Sequence, residues 1–257
     1  MHNQHDKDRQ IPILTYHSID DSGSVISTSP QKFREQVSHL SEAGFRVMTV
    51  GEIVACLRND MPVPERAVSI AFDDGYGNVF TDAYPILQEY GFTATVFLIT
   101  DYCGRHSDWP GNLPTLARRP LLSWTQIREM RQNGIEFGAH TRTHPDLTLV
   151  ARPQLVDEIS QSKSEIEDRT GNAVTTFAYP YGRHNNEVRA MVQEHFEGAC
   201  STDLGRVGLG SDLYLLRRFD MYYLSRPSLF RKLETAELNA YLQLRQALRG
   251  LRQFLPA

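Results

Sequence analysis

Residues 69–78 read SIAFDDGYGN. An apolar run from Ser69 to Phe72 ends in two adjacent carboxylates, Asp73 and Asp74, and a glycine. Neighbouring anions raise each other's pKa unless a positive charge lies between them. Further along, HTRTHP sets His140 and His144 four residues apart, and Pro145 stops that segment after a single turn. Two imidazoles at that spacing can meet on one cation, and one carboxylate added to them makes a set of two His and one acid. Such a set leaves coordination positions open for water and substrate, as hydrolytic zinc centres require. One Asp of the pair is therefore expected to ligate a divalent cation, which offsets the like-charge penalty. The other is expected to stay outside the ligand shell and take a proton from the attacking water.

These side chains need elements that bring them together. A repeating unit runs along the chain, in which a helix-like stretch ends at a glycine and a short apolar strand follows. SPQKFREQVSHLSEAG has Ser29 as N-cap, Pro30 as first helical residue, Phe33, Val37 and Leu40 on one face, and Gly44 as stop, before FRVMTV. VFTDAYPILQEYG stops at Gly91 before FTATVFLI, and SWTQIREMRQNG, with a Ser123/Gln126 capping box, stops at Gly134 before IEFGAH. RPQLVDEISQSKSEIEDRTG places Leu155, Ile159 and Ile166 on one stripe and stops at Gly171 before VTTFAY. HNNEVRAMVQEHFEG stops at Gly198 before ACST.

Strands apolar on both faces, alternating with amphipathic helices, indicate an α/β chain with a parallel sheet covered by helices. About seven strands in this order predict a closed or nearly closed β/α barrel; an open doubly wound sheet is the alternative. His17 ends IPILTY, the Asp pair ends AVSIAF, His140 ends IEFGA and Tyr181 follows VTTFAYP. All lie at C-terminal strand ends, where barrels of this kind carry their sites. Residues 101–122 form the longest irregular stretch and are expected to loop over one barrel end.

The bulk properties narrow the class. The chain has 257 residues, 40% of them hydrophobic, and a formal net charge of -4. The length suits one large domain or two small ones, and mild acidity gives no support for nucleic-acid binding. Cys56, Cys103 and Cys200 have no CxxC spacing, which argues against a disulfide framework. The opening MHNQHDKDRQ has no apolar core for a signal peptide, and no apolar run is long enough to span a bilayer. Together these features suggest a cytoplasmic protein. From about residue 231, Leu238, Tyr241, Leu244, Leu248, Leu251 and Leu255 recur at helical spacing, with Arg245, Arg249 and Arg252 on other faces. That pattern suits a final helix packed on the barrel, or a basic amphipathic helix in peripheral contact with an anionic membrane at its inner face.

AFDDGYGN, HTRTHP and FAYPYG, in that order, resemble the motifs of the polysaccharide deacetylases, the family 4 carbohydrate esterases that include nodulation-type chitooligosaccharide deacetylases. The resemblance spans residues 11–220. It implies a distorted (β/α)7 barrel in a single domain, residues 11–225, followed by a helical extension, residues 226–257. It also implies metal-dependent hydrolysis of an N-acetyl group, with Zn²⁺ first among cations and Co²⁺ or Ni²⁺ as alternatives. By match to the first motif, Asp73 is the general base and Asp74 a metal ligand. By match to the second, His140 and His144 are the other ligands, and in the third Tyr181 offers its backbone N–H to the oxyanion.

Two departures are informative. The third motif usually begins with an Arg that holds the base, and here that position is Ala178. The family also carries a late histidine as general acid, and no histidine follows His195. Both departures resemble the subgroup acting on the poly-N-acetylglucosamine of biofilms, in which the barrel is circularly permuted and an N-terminal YH supplies the acid. LTYHSI fits that pattern, which implies His17 as the acid. LYLLRRFD then offers Arg218 to pair with Asp73. Trp109, Trp124 and Tyr76 could stack on a sugar ring. The implied partner is an N-acetylated glycan or exopolysaccharide precursor. An amidohydrolase on a small non-sugar amide or imide, and a non-catalytic glycan-binding barrel, are the other readings. The sequence is silent on oligomeric state.

Overall fold

Short runs rich in apolar residues pair as parallel strands in one eight-stranded sheet. The computed structural model of the protein describes residues 9–112 and 115–252. Residues 1–8 of the polar N-terminus and Leu255 lie outside the described residues, as do the side chains of Leu251 and Arg252. The strands are β1 (Ile13–Tyr16), β2 (Arg46–Met48), β3 (Ala67–Phe72), β4 (Thr95–Leu98), β5 (Glu136–Ala139), β6 (Thr176–Ala178), β7 (Gly198–Leu204) and β8 (Leu216–Asp220). β1 pairs directly with β3, from Ile13↔Ser69 to Tyr16↔Phe72. The sheet then runs β3–β4–β5–β6–β7–β8 and returns to β1, closing the expected seven-strand barrel rather than an open sheet. β2 pairs with only the first half of β3, Arg46↔Ala67 to Met48↔Ser69, so the ring is uneven at that point.

The helices are α1 (Pro30–Glu42), α2 (Val50–Arg58), α3 (Tyr84–Glu89), α4 (Trp124–Gln132), α5 (Arg152–Thr170), α6 (Asn186–His195), α7 (Pro227–Phe230) and α8 (Ala236–Arg252). Ser29 and Ser123 cap α1 and α4 as their sequences predict. α2 corrects the reading of FRVMTV as one strand. The strand stops at Met48 because Thr49 leaves it to cap a helix. Its hydroxyl accepts the Glu52 N–H, and the Glu52 carboxylate accepts the Thr49 N–H in return.

α2 plugs one end of the barrel. Val50, Ile53, Val54 and Leu57 pack against Ile13, Ala71, Phe97, Ala178, Cys200 and Leu216. Its first amides meet the starts of β4 and β5. Val50 N–H donates to Thr95 Oγ1 at 2.8 Å, and Gly51 N–H donates to the Glu136 carboxylate, whose pKa is pushed up by burial. A Cβ on Gly138 would lie 2.6 Å from the Phe97 ring, so the glycine lets Phe97 fill the barrel centre. With the strand starts closed, only the C-terminal strand ends remain open.

The loop after β4 covers part of that open end, as expected of residues 101–122. It is tied down by the bridge Tyr76↔Leu121 and by Gly77 N–H donating to Pro120 O. α8 packs on the barrel wall. Leu238 and Leu242 are buried, Gln246 accepts the Leu204 N–H, and Arg249 donates to Thr202 O at 2.8 Å. Leu244 and Leu248 face solvent. No described helix is long and apolar enough to cross a membrane.

Candidate active site

Three of the strands, β3, β5 and β6, deliver their polar residues through bends that L-amino acids adopt reluctantly. After Phe72 the chain turns through Asp74 (φ 69°) and Gly75 (φ 70°), and Asp73 N–H stays bonded to Tyr16 O at 3.0 Å. A side chain at position 75 would press on Leu98 at 2.9 Å, so that position needs glycine on two counts. After β5, His140 N–H donates to Leu98 O, and the chain turns at Thr141 (φ 69°) and His144 (φ 61°). After β6, Tyr181 sits at φ 58°. Among the described residues six non-glycines have positive φ, and Asp74, Thr141, His144 and Tyr181 are four of them. Backbone conformations of this kind cost on the order of 1 kcal/mol each and gather where function holds them.

The strained segments bring three lone pairs to one point. Asp74 Oδ1 lies 3.5 Å from His140 Nε2 and 3.4 Å from His144 Nε2, and the two imidazole nitrogens are 3.1 Å apart. A tetrahedral zinc ion with bonds of about 2.0–2.1 Å sets its ligand atoms roughly 3.3–3.4 Å apart. The three side chains therefore fit a divalent cation. The His140 ring is oriented by Nδ1–H donating to Ala178 O at 2.7 Å, which turns the Nε2 lone pair towards Asp74. The His144 ring is clasped between Trp109 and Tyr181, with centroids 5.2 and 4.6 Å away. Burial pushes its pKa down to about 3, which keeps it neutral as a metal ligand must be. Burial opposes charge on Asp74 and His140 as well. Their mutual hydrogen bond and attraction nevertheless lower the carboxyl and raise the imidazole.

Asp73 is held by a different partner. Arg218 Nη1 and Nη2 donate to its two oxygens at 2.7 and 2.8 Å, and Arg218 Nε donates to Ser201 O at 2.8 Å. Both residues are buried. Burial alone would raise Asp73, but the Arg218 guanidinium and the nearby imidazoles hold its carboxyl far below the usual carboxylate range. His17 Nε2 stands 3.9 Å from Asp73 Oδ2 with its side chain 24% exposed. Tyr181 N–H has no acceptor among the described residues, whereas the next two amides donate to Tyr179 O and Pro180 O. Asp73, Asp74, His17, His140, His144 and Tyr181 line a cavity of about 180 Å³, walled by Trp109, Tyr76 and Tyr179, with Arg218 behind Asp73. A larger hollow of about 440 Å³ lies between α1 and α7, but it shares none of these groups. Trp124 does not line the cavity: at the first position of α4 its ring lies under the Arg169 guanidinium.

One supporting residue escaped the sequence reading. Glu158 on α5 is buried, and its carboxylate accepts the N–H of Arg142 and of Thr143, both at 2.9 Å, and the Thr143 hydroxyl. It braces the loop between the two histidines. The signal was a carboxylate lying on the apolar stripe of Leu155 and Ile159. Glu158→Gln puts an NH₂ group where an acceptor is needed and is expected to weaken metal affinity by about 10–100-fold. Competition with a chromophoric chelator measures this; unchanged affinity would remove Glu158 from the site.

Comparison with known proteins places these residues in context. The family model described as polysaccharide deacetylase matches residues 60–195. That span contains Asp73, Asp74, His140, His144 and Tyr181, while His17 and Arg218 lie outside it. YxkH of Bacillus subtilis, assigned by name to the polysaccharide deacetylases, is 30% identical over 214 residues, covering 83% of this chain and 72% of the relative. A poly-β-1,6-N-acetyl-D-glucosamine N-deacetylase of Staphylococcus aureus is 25% identical over 177 residues, covering 65% of this chain and 58% of the relative. Among solved structures, the Streptococcus pyogenes deacetylase PplD in complex with acetate superposes with a TM-score of 0.73 at 26% identity, over 82% of this chain and 92% of that one.

Proposed function

Because this chain belongs to the polysaccharide deacetylase family, a family of hydrolases, we propose that it removes acetyl groups from N-acetylhexosamine units of a polysaccharide or exopolysaccharide precursor. The observation that carries this is convergence in one cavity. A cation-ready triad, an arginine-held carboxylate, an imidazole beside it and an unpaired amide are the groups that hydrolysis of an acetamide needs.

Asp74, His140 and His144 would hold a divalent cation, which would supply Lewis acidity to the acyl carbonyl and lower the pKa of water at neutral pH. Two imidazoles and a carboxylate suit Zn²⁺, and Co²⁺ or Ni²⁺ would also bind. Asp73 takes the proton of the attacking water, and Arg218 keeps that carboxylate ionised and aimed. Tyr181 N–H donates to the acyl oxygen as it gains negative charge, a contribution worth roughly 3 kcal/mol of barrier. His17, on the Oδ2 side of Asp73, gives a proton to the departing nitrogen. The products are acetate and a free amine on the sugar. The Staphylococcus relative makes β-1,6-linked N-acetylglucosamine the first glycan to try.

Purified protein is expected to release acetate from short β-1,6-linked N-acetylglucosamine oligomers, to stop after chelation, and to resume when Zn²⁺ or Co²⁺ is restored. Silence in every condition with metal bound would overturn the glycan as substrate and turn the search to small amides and O-acetyl esters.

A further inference from the structure

His17 raises a question of placement. Its ring makes no hydrogen bond among the described residues; the carboxylate oxygen within ion-pair reach of it there is Asp73 Oδ2, at 3.9 Å. An imidazole meant to deliver a proton to one atom must be held in place, and a ring without a hydrogen bond depends on its packing and on the placement of its backbone. That backbone is gripped on both sides by the loop that carries the Asp pair. On the near side, Asp73 N–H donates to Tyr16 O at 3.0 Å. On the far side, Asn78 makes two bonds. Its Oδ1 accepts the Ile19 N–H at 3.1 Å, and its Nδ2 donates to Ser18 Oγ at 2.8 Å. Ser18 Oγ donates its own proton to Asp20, and Asp20 Oδ1 accepts from Arg119 Nη2 at 2.9 Å. Arg119 lies in the loop that contains Trp109, so the chain of bonds joins three of the segments around the cavity.

We propose that Asn78 is the positioning residue for His17, fixing the imidazole over Asp73 by clamping the two residues that follow it. The proposal rests on the assignment of His17 as the proton donor to the leaving amine. Asn78 touches neither substrate nor cation in this scheme. Its loss is expected to loosen His17 and to leave the metal triad and the Asp73–Arg218 pair in place.

The test separates a misplaced acid from a damaged fold by the leaving group. An amine departs only with a proton, whereas nitrophenolate departs from 4-nitrophenyl acetate without one. In the metal-loaded enzyme, Asn78→Leu is expected to lower the ratio of turnover on a β-1,6-linked N-acetylglucosamine pentamer to turnover on 4-nitrophenyl acetate by about 10²-fold, the scale of a 1 Å misplacement. KM for the pentamer and bound metal are expected to stay as in the parent. His17→Ala is measured alongside and is expected to shift the same ratio at least as far. An equal loss on both substrates for Asn78→Leu, or no loss, overturns the positioning role. No ratio shift for His17→Ala overturns the acid assignment instead. A crystal structure of Asn78→Leu tests the clamp without any substrate: a displaced or disordered His17 ring is expected, and an undisturbed one sinks the proposal.

Discussion

Asp74→Ala is expected to abolish acetate release and to empty the metal site together, while Asp73→Asn is expected to lose about 10²–10⁴-fold in turnover with its metal retained. The two residues are adjacent in sequence and both buried, yet their hydrogen-bond partners differ. Asp74 faces two imidazole nitrogens at 3.4–3.5 Å, and removing it leaves two neutral ligands, too few for a hydrolytic centre. Asp73 faces a guanidinium at 2.7–2.8 Å. Asn keeps the shape of that side chain but cannot accept a proton at neutral pH. Elemental analysis of the two purified variants, beside their acetate-release rates, decides the matter. Metal lost from Asp73→Asn and kept in Asp74→Ala would reverse the roles, and full activity in either variant would remove it from the mechanism.

The second large effect concerns the buried pair of Arg218 and Asp73. Arg218→Met is expected to cost about 3–5 kcal/mol of stability, because it leaves the Asp73 charge buried without its partner. The pH dependence has a definite sign. In the parent, Asp73 is held far below the ordinary carboxylate range, so its contribution is present above that range and lost only as the pH falls through the depressed folded value. In Arg218→Met, burial acts without the guanidinium and raises the carboxyl above its unfolded value. Stability then is greatest at low pH and falls as the pH rises through the raised value. The stability gap between parent and variant should therefore widen from acid towards neutral pH, read from guanidinium midpoints across that span. A gap that is constant or narrows would show that Arg218 does not govern the ionisation of Asp73. Turnover should fall as well, since a protonated Asp73 cannot act as base.

The order of most elements and the convergence of Asp74, His140 and His144 were legible in the sequence, for physical reasons. Runs such as AVSIAF are apolar on both faces, and only a parallel strand covered on both sides buries them so. Ser29 and Ser123 announced helix starts because a hydroxyl there satisfies an otherwise unpaired amide. His140 and His144 share one tight turn, so their convergence is a local matter that spacing can express. What sequence could not express was anything decided across the barrel. Arg218 and Asp73 lie 145 residues apart, and their pairing exists because β8 closes on β1, which pairs with β3. The helix from Val50 was hidden by an apolar run that reads as strand until Thr49 caps it, and only the open lower end of the barrel gives its apolar face somewhere to go. Trp124 had the right chemistry for a sugar and the wrong side of a helix. Glu158 and Asn78 looked like ordinary polar residues because their partners are backbone amides and a hydroxyl on other segments, and the fold alone brings those within reach.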